Sequence, residues 1–309
     1  MKFFSLLLVS GLVGWLSPPR RSFVYPTSPA VKATFSKEGR LVLVGAQSGT
    51  IALFHSRTAL LVGEFSGHQQ PVGDLDSWLD RDTVVSGDAG GNVLFWRSAT
   101  QGVLQRMRLP TPVRQVRVRP RSNQAAIAGK RLVWLVDPKN TRQLITDGAF
   151  GSADISSIAF SPDGLYLAVG YTNGSIVVNN LANGQQKRLK GSTGPVRDMA
   201  VRHDSLLAVT GSPVLTLWHR QPGGWNKRAM TLSRPLTSLA LTGSTVTLGA
   251  QTGELTRFSL LSQQEQPVAT SDAPPRSIRL HPYEGLLLTT FDTQTPKTWR
   301  LADSPASQP

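Results

Sequence analysis

The sequence predicts an all-β fold, a seven-bladed β-propeller, and three markers that keep step with one another predict it. A glycine closes a hydrophobic strand at Gly45, Gly87, Gly129, Gly170, Gly211 and Gly249, and Thr290 stands where a seventh would fall. These positions recur about every 41 residues, a period that belongs to propellers and helical arrays. Ahead of each runs a second strand motif: "PAVKATF" from Pro29, "PVGDL" from Pro71, "PVRQVRV" from Pro112, "DISSIAF" from Asp154, "PVRDMAV" from Pro195, "PLTSLAL" from Pro235 and "PPRSIRL" from Pro274. The third marker ends the following strand, at Phe54, Trp96, Val136, Asn179, Trp218, Phe258 and Trp299. The segments are short, β-branched and bounded by Gly, Pro, Asn and Ser, which selects strands over helices.

From the N-terminus, "MKFFSLLLVSGLVGWLSPPRR" places one lysine before an apolar run from Phe3 to Leu16. That run has the length of a secretory apolar region and is short for a spanning helix. Residues 1–19 are expected to be an export signal or membrane anchor. The chain would then work in a periplasm, lumen or extracellular space, or on a membrane; the alternative is a buried apolar arm in a cytoplasmic protein.

Residues 20–29 are the expected closing strand. The seventh unit ends near Leu301 without an outer strand, and "SFVYPTSPA" from Ser22 aligns with "EFSGHQQPV" from Glu64, an outer strand plus connection. Phe23 to Tyr25 are expected to complete the last blade, which protects the sheet edges without disulfides. Blades are expected to begin near residues 30, 71, 112, 154, 195, 235 and 274, with 302–309 a flexible tail. In each blade a turn follows the second strand, and Gly49 and Gly253 are expected to supply positive φ there.

At these residues the chain resembles the WD-repeat β-propellers, in a divergent, bacterial-type form, over about Ser22 to Leu301. The best-preserved unit, "DISSIAFSPDGLYLAVGYTNGSIVVNNLANGQ", carries the Ser-Pro-Asp-Gly hairpin of that family. The resemblance implies four-stranded antiparallel blades and a role in protein–protein interaction. The family's terminal Trp-Asp pair is degraded here to Phe54-His55, Trp96-Arg97, Val136-Asp137, Asn179-Asn180, Trp218-His219, Phe258-Ser259 and Trp299-Arg300. Its Gly-His pair survives once, as Gly67-His68. The hydrogen-bonded His/Asp/Ser/Trp network of the family is therefore expected to be mostly missing.

The composition of the 309 residues is globular, with 39% hydrophobic residues, and there is no cysteine, so disulfides and thiolate chemistry are excluded. No nucleophile-elbow, zinc-protease, phosphate-loop or calcium-loop pattern occurs. The five histidines, His55, His68, His203, His219 and His281, show no ligand spacing. No cofactor and no metal is expected. The acidic stretch "GDLDSWLDRD" supplies the one candidate for catalysis, a hydrolase or lyase with Asp74 and Asp76 as acid and base. Asp80 and Asp82 fall in the turn that follows. The plainer account is a channel-facing ion pair between Asp76 and Arg117, which hold equivalent places in adjacent units.

The net charge of +14 is concentrated in the third and fifth units. Arg114, Arg197 and Arg276 recur one residue after the first apolar residue of the second motif. In family members that place lies at one mouth of the channel, with Arg117 and Arg279 deeper on the same strands. Guanidinium favours planar contact with carboxylate or phosphate. The expectation is a non-enzymatic scaffold or assembly factor, a single propeller within a complex, that takes acidic protein segments at this arginine ring. The alternative is that these arginines are paired internally with Asp198, Asp74 and nearby carbonyls. Nucleic acid is a weaker partner, because "VRQVRVRPRS" carries no aromatic ring to stack bases. Membrane association through residues 3–16, with Arg20 and Arg21 beside anionic lipid, is a further expectation.

Overall fold

Alternation along each strand sends every second side chain into the gap between neighbouring sheets, and the sequence repeats that alternation seven times over. The computed structural model describes residues 19–301 except 26, 37, 79–81, 147–152, 190–193, 203, 222–223 and 293–294. It contains seven four-stranded antiparallel sheets. The strands of each blade are designated a to d from the centre outward. The seven a strands are Ala30–Phe35, Val72–Ser77, Gln115–Val118, Ile155–Phe160, Asp198–Val201, Leu236–Thr242 and Ser277–Leu280. Consecutive a strands touch, and that of blade seven meets that of blade one, so the ring is closed around a channel.

The core lies between blades. Leu43, Ile51 and Phe65 of blade one pack with Leu75, Leu94 and Trp96 of blade two, and each interface repeats this arrangement. The repeated glycines are part of it. A Cβ on Gly45 would lie 2.7 Å from Val72 of the next blade, one on Gly87 2.4 Å from Val113, and one on Gly249 2.4 Å from Pro275. Gly is therefore kept where the next a strand approaches too closely for any side chain. Two of the predicted glycines do not hold this position. Gln115 faces Ala128 and Asp198 faces Val209, so Gly129 and Gly211 lie just beyond the strand, in the turn. In blade seven Thr290 takes the place, bonded to Ser277 at 2.6 Å.

Gly49 and Gly253 have φ of 88° and 87°, as their turns require. Each turn folds onto the start of strand a: Gln47 N–H donates to Pro29 and Gln251 N–H to Pro235. The b–c turns and the a-strand starts thus share one face, here the top. The a–b and c–d hairpins form the bottom.

The closing strand is Arg21–Ser22, two residues ahead of the expected Phe23–Tyr25, and it pairs with Lys297 and Thr298. Phe23 makes the last bond, to Pro296 O. Proline has no N–H to return, so the ladder ends there and Val24–Tyr25 become connection. Phe23 itself is fully buried against Phe54 of blade one, as Phe65 is at the equivalent place. The segment 1–18 and the tail 302–309 lie outside the described residues.

Candidate functional site

Strand a is the edge strand of every blade, so its outward N–H groups need partners from elsewhere. Side chains of the preceding blade supply them. Asp74 Oδ2 accepts from Val116 N–H at 3.0 Å, Gln115 Oε1 from Ile158 N–H at 2.9 Å, and Asp198 Oδ2 from Leu239 N–H at 3.1 Å. Those three residues hold the same place in blades two, three and five, and Lys32 holds it in blade one. Asp76 does the same one step deeper, accepting from Val118 N–H at 3.0 Å.

Lys32, Asp74, Asp76, Arg117 and Arg279 fill the channel on the side of blades seven and one to three, and Asp198 of blade five faces them. Arg117 pairs with Asp74 at 2.9 Å and not with Asp76 as the sequence suggests. The guanidinium reaches back up the neighbouring strand to the carboxylate one rung nearer the top, while Asp76 is occupied by the Val118 and Ser77 amides. Burial would raise Asp74, but Arg117 and Lys32 beside it hold it below the ordinary carboxylate value. Burial raises Asp76 and Asp198, against the pull of Arg279. Burial also lowers the Lys32 ammonium to about 8. Arg279 is lowered by burial and by Arg117, and among the described residues no carboxylate lies within ion-pair distance of it.

The opposite side of the channel is open. Where blades two, three and seven carry Asp76, Arg117 and Arg279, blades four to six carry Ala159, Ala200 and Ala240. Ala159 and Ala200 line a cavity of about 540 Å³ at the bottom mouth, walled by Phe160, Met199 and Leu241, with Arg117 and Arg202 at its edge. Neither Asp74 nor Asp76 lines it.

The three predicted ring arginines do lie on the top face, and one backbone feature sets them there. In blades one, two, four and six the pairing of strands a and b shifts register at this position. In blades three, five and seven no bulge forms, and the arginine's own N–H donates to Ala128, Val209 or Thr290 O at 2.7–2.8 Å. All three side chains are exposed. None pairs with Asp74 or Asp198, whose oxygens serve the next blade. Arg276 pairs with Asp292. Arg114 lies 3.7 Å from Asp154, a carboxylate shared with Lys130 and Arg131 at 3.7 and 3.8 Å. Arg197 has no carboxylate within ion-pair distance among the described residues. Lys32 and the Lys130–Arg131–Asp154 group escaped the sequence reading. Aligning "AVKATF" on "VGDLDS" would have put Lys32 beside Asp74, whereas Lys130 and Arg131 reach Asp154 only because one blade's turn meets the next blade's first strand.

His281 accepts from Tyr283 and Glu284 N–H, His219 lies at an exposed strand end, and His203 is outside the described residues. His68 is buried and joins Asp88 at 3.0 Å and Ser86 at 2.7 Å, and Trp96 Nε1 donates to the same Ser86 Oγ at 2.7 Å. This complete four-residue network occurs in blade two alone among the described residues. Blade seven retains half of it, with Trp299 Nε1 donating to Thr289 Oγ1 at 2.8 Å.

Residues 60–97 and 142–179 match the family described as WD domain, G-beta repeat. The first stretch contains the entire His68–Asp88–Ser86–Trp96 network. The chain is a seven-bladed β-propeller that carries WD repeats. Each match runs from strand d of one blade to strand c of the next, so the sequence repeat is offset by one strand from the structural blade, which is why the ring must be closed by an N-terminal strand. The WD-repeat propeller is 27% identical over 189 residues to echinoderm microtubule-associated protein-like 2 of Rattus norvegicus, covering 59% of this chain and 29% of the relative. It is 28% identical over 153 residues to the retinoblastoma-binding protein 5 homolog of Drosophila melanogaster, covering 49% and 31%. It spans less than a third of the length of these relatives. Its fold superimposes on the β-propeller domain of Cps50 (Swd1) from Myceliophteria thermophila with a TM-score of 0.80, at 15% identity, over 93% of this chain and all of that domain.

Proposed function

We propose that this WD-repeat propeller is a protein-interaction scaffold whose top face takes an acidic segment of a partner protein through Arg114, Arg197 and Arg276. The observation that carries this reading is the imbalance of charge at that mouth. Arg114, Lys130 and Arg131 gather on the single carboxylate of Asp154, and Arg197 has no carboxylate partner among the described residues. An exposed cationic ring over a low-dielectric channel concentrates the field on an incoming anion. Arg117 and Arg279 stand behind it. Arg117 is held by Asp74, so Arg279 is the deeper group with capacity for a carboxylate. The names of two relatives denote association with other proteins, namely microtubules and the retinoblastoma protein. The oxygens of Asp74 and Asp76 serve backbone amides and Arg117, which favours a scaffold over a hydrolase or lyase. We place the scaffold outside the cytoplasm or on a membrane, on the strength of the apolar run from Phe3 to Leu16.

The test is affinity purification with Arg114→Glu, Arg197→Glu and Arg276→Glu combined. A folded triple variant should lose its protein partners. Unchanged recovery would sink the reading, and recovery of nucleic acid with the wild-type chain would replace it.

A further inference from the structure

The bottom face differs from the top in three ways that the arginine ring does not explain. The first is where the chain enters. Arg21–Ser22 runs antiparallel to Lys297–Arg300, so the chain comes into the ring at Pro19 and Arg20 on the bottom and reaches Leu301 there as well. The first described residues, Pro19 and Arg20, thus lie on the face opposite the arginine ring.

The second is the distribution of exposed apolar side chains. Leu60, Leu165, Leu261 and Tyr283 are 65, 44, 81 and 70% exposed. They sit in the hairpins of blades one, four, six and seven that form the bottom. At the top, Val24 is the one exposed large apolar residue among the described residues. Single exposed apolar residues are ordinary. Leu61, Val62, Val103, Leu104 and Leu144 are exposed on outer strands, but the four hairpin tips that project from the ring share the bottom face.

The third is charge. Arg20, Arg97, Arg121, Lys139, Arg202 and Arg300 are exposed at the bottom. Of the acids in the same loops, Asp137 is buried and Asp163 half-buried as turn caps, while Glu38, Asp82 and Asp204 are exposed, so among the described residues cations still outnumber exposed carboxylates there. Asp82 accepts from Ala99 N–H, Asp137 from Lys139 and Thr141 N–H, and Asp163 from Leu165 N–H, all at 2.9–3.0 Å.

Apolar and tyrosine tips ringed by long cationic side chains suit a phospholipid interface. The tips enter the boundary of the acyl chains, and the cations reach to headgroup phosphates. We propose that the bottom face docks on a bilayer rich in anionic phospholipid, leaving the top face turned away from the membrane. This proposal does not depend on what the top face binds.

The absence of cysteine makes the test direct. Full-length protein carrying Leu165→Cys or Leu261→Cys at the bottom, or Ser48→Cys or Asn173→Cys at the top, takes a single fluorophore. Each is mixed with phosphatidylcholine–phosphatidylserine vesicles containing a doxyl-lipid quencher. The bottom labels should be quenched several-fold more than the top labels, and less so when phosphatidylserine is omitted or salt is raised. Quenching of neither pair, or of both equally, overturns the proposal. A tether at the N-terminus could bring the face near lipid without docking it. Combined Arg121→Glu, Arg202→Glu and Arg300→Glu separates the two: docking requires that bottom quenching fall, and unchanged quenching overturns the proposal.

Discussion

Asp198 of blade five accepts a hydrogen bond from the Leu239 amide of blade six at 3.1 Å, the same link that Asp74 makes with Val116 between blades two and three. The difference lies in what else each carboxylate holds. Asp74 also pairs with Arg117, whereas Asp198 has no arginine at bonding distance among the described residues.

Asp74→Ala should therefore destabilise the ring more than Asp198→Ala. The first leaves a buried guanidinium without its partner, at a cost of about 3–5 kcal/mol. The second leaves an amide unsatisfied, at about 1–3 kcal/mol. Asp74→Asn, which keeps an acceptor for Val116, should fall between wild type and alanine. Urea denaturation checks the order. Because Asp74 is held below its ordinary value, its contribution is present above the unfolded value of 3.8 and is lost as pH falls through the folded one.

Lys32 should give stability a rise on the alkaline side. Its folded value is about 8 against 10.5 in the unfolded chain. Between those values the unfolded state binds more protons, so stability increases with pH, and the penalty of the buried charge is fully present below that window. Lys32→Met should flatten the rise. Denaturation midpoints at intervals across this range decide it, and an equal slope in both proteins would assign the rise to another group.

Gly253→Ala should cost more than Gly184→Ala. Both glycines have positive φ, 87° and 72°. Each substitution meets about 1–2 kcal/mol of left-handed strain. At Gly253 the new Cβ would also lie 2.0 Å from the Ser271 carbonyl oxygen, while at Gly184 nothing lies within 4 Å. Thermal denaturation of the two variants should separate them clearly.

Phe23→Ala should loosen the ring closure by about 3–5 kcal/mol, since it empties a fully buried site against Phe54. Val24→Ala, one residue on and 58% exposed, should be nearly silent. Proteolysis near the N-terminus and denaturation together test this assignment of the closing strand. Equal effects would return the strand to the later residues.

The blade count and the closure were legible because they follow from spacing and alternation, which one sequence displays in full. The intact network of blade two was announced by Gly67-His68, and Gly49 and Gly253 by their turns. Where the reading slipped, it slipped by one or two residues. Gly129 and Gly211 were aligned as glycines, but the position is set by which residue faces the next blade, and that is Ala128 and Val209. The closing strand was placed too late because pairing stops at Pro296, a partner remote in sequence.

The sequence by itself determined a ring of seven units, the chain end that closes it, and the recurrence of arginine at one place in units three, five and seven. Periodic burial requires these whatever the neighbours are. Only the tertiary structure decided which charges meet. Arg117 found Asp74 and not Asp76, and Asp198 was drawn to Leu239. Arg114 came to share Asp154 with Lys130 and Arg131, and the apolar tips of blades one, four, six and seven came onto the face where the chain enters. Those outcomes depend on side-chain reach across blades about 40 residues apart, a distance that no local pattern encodes.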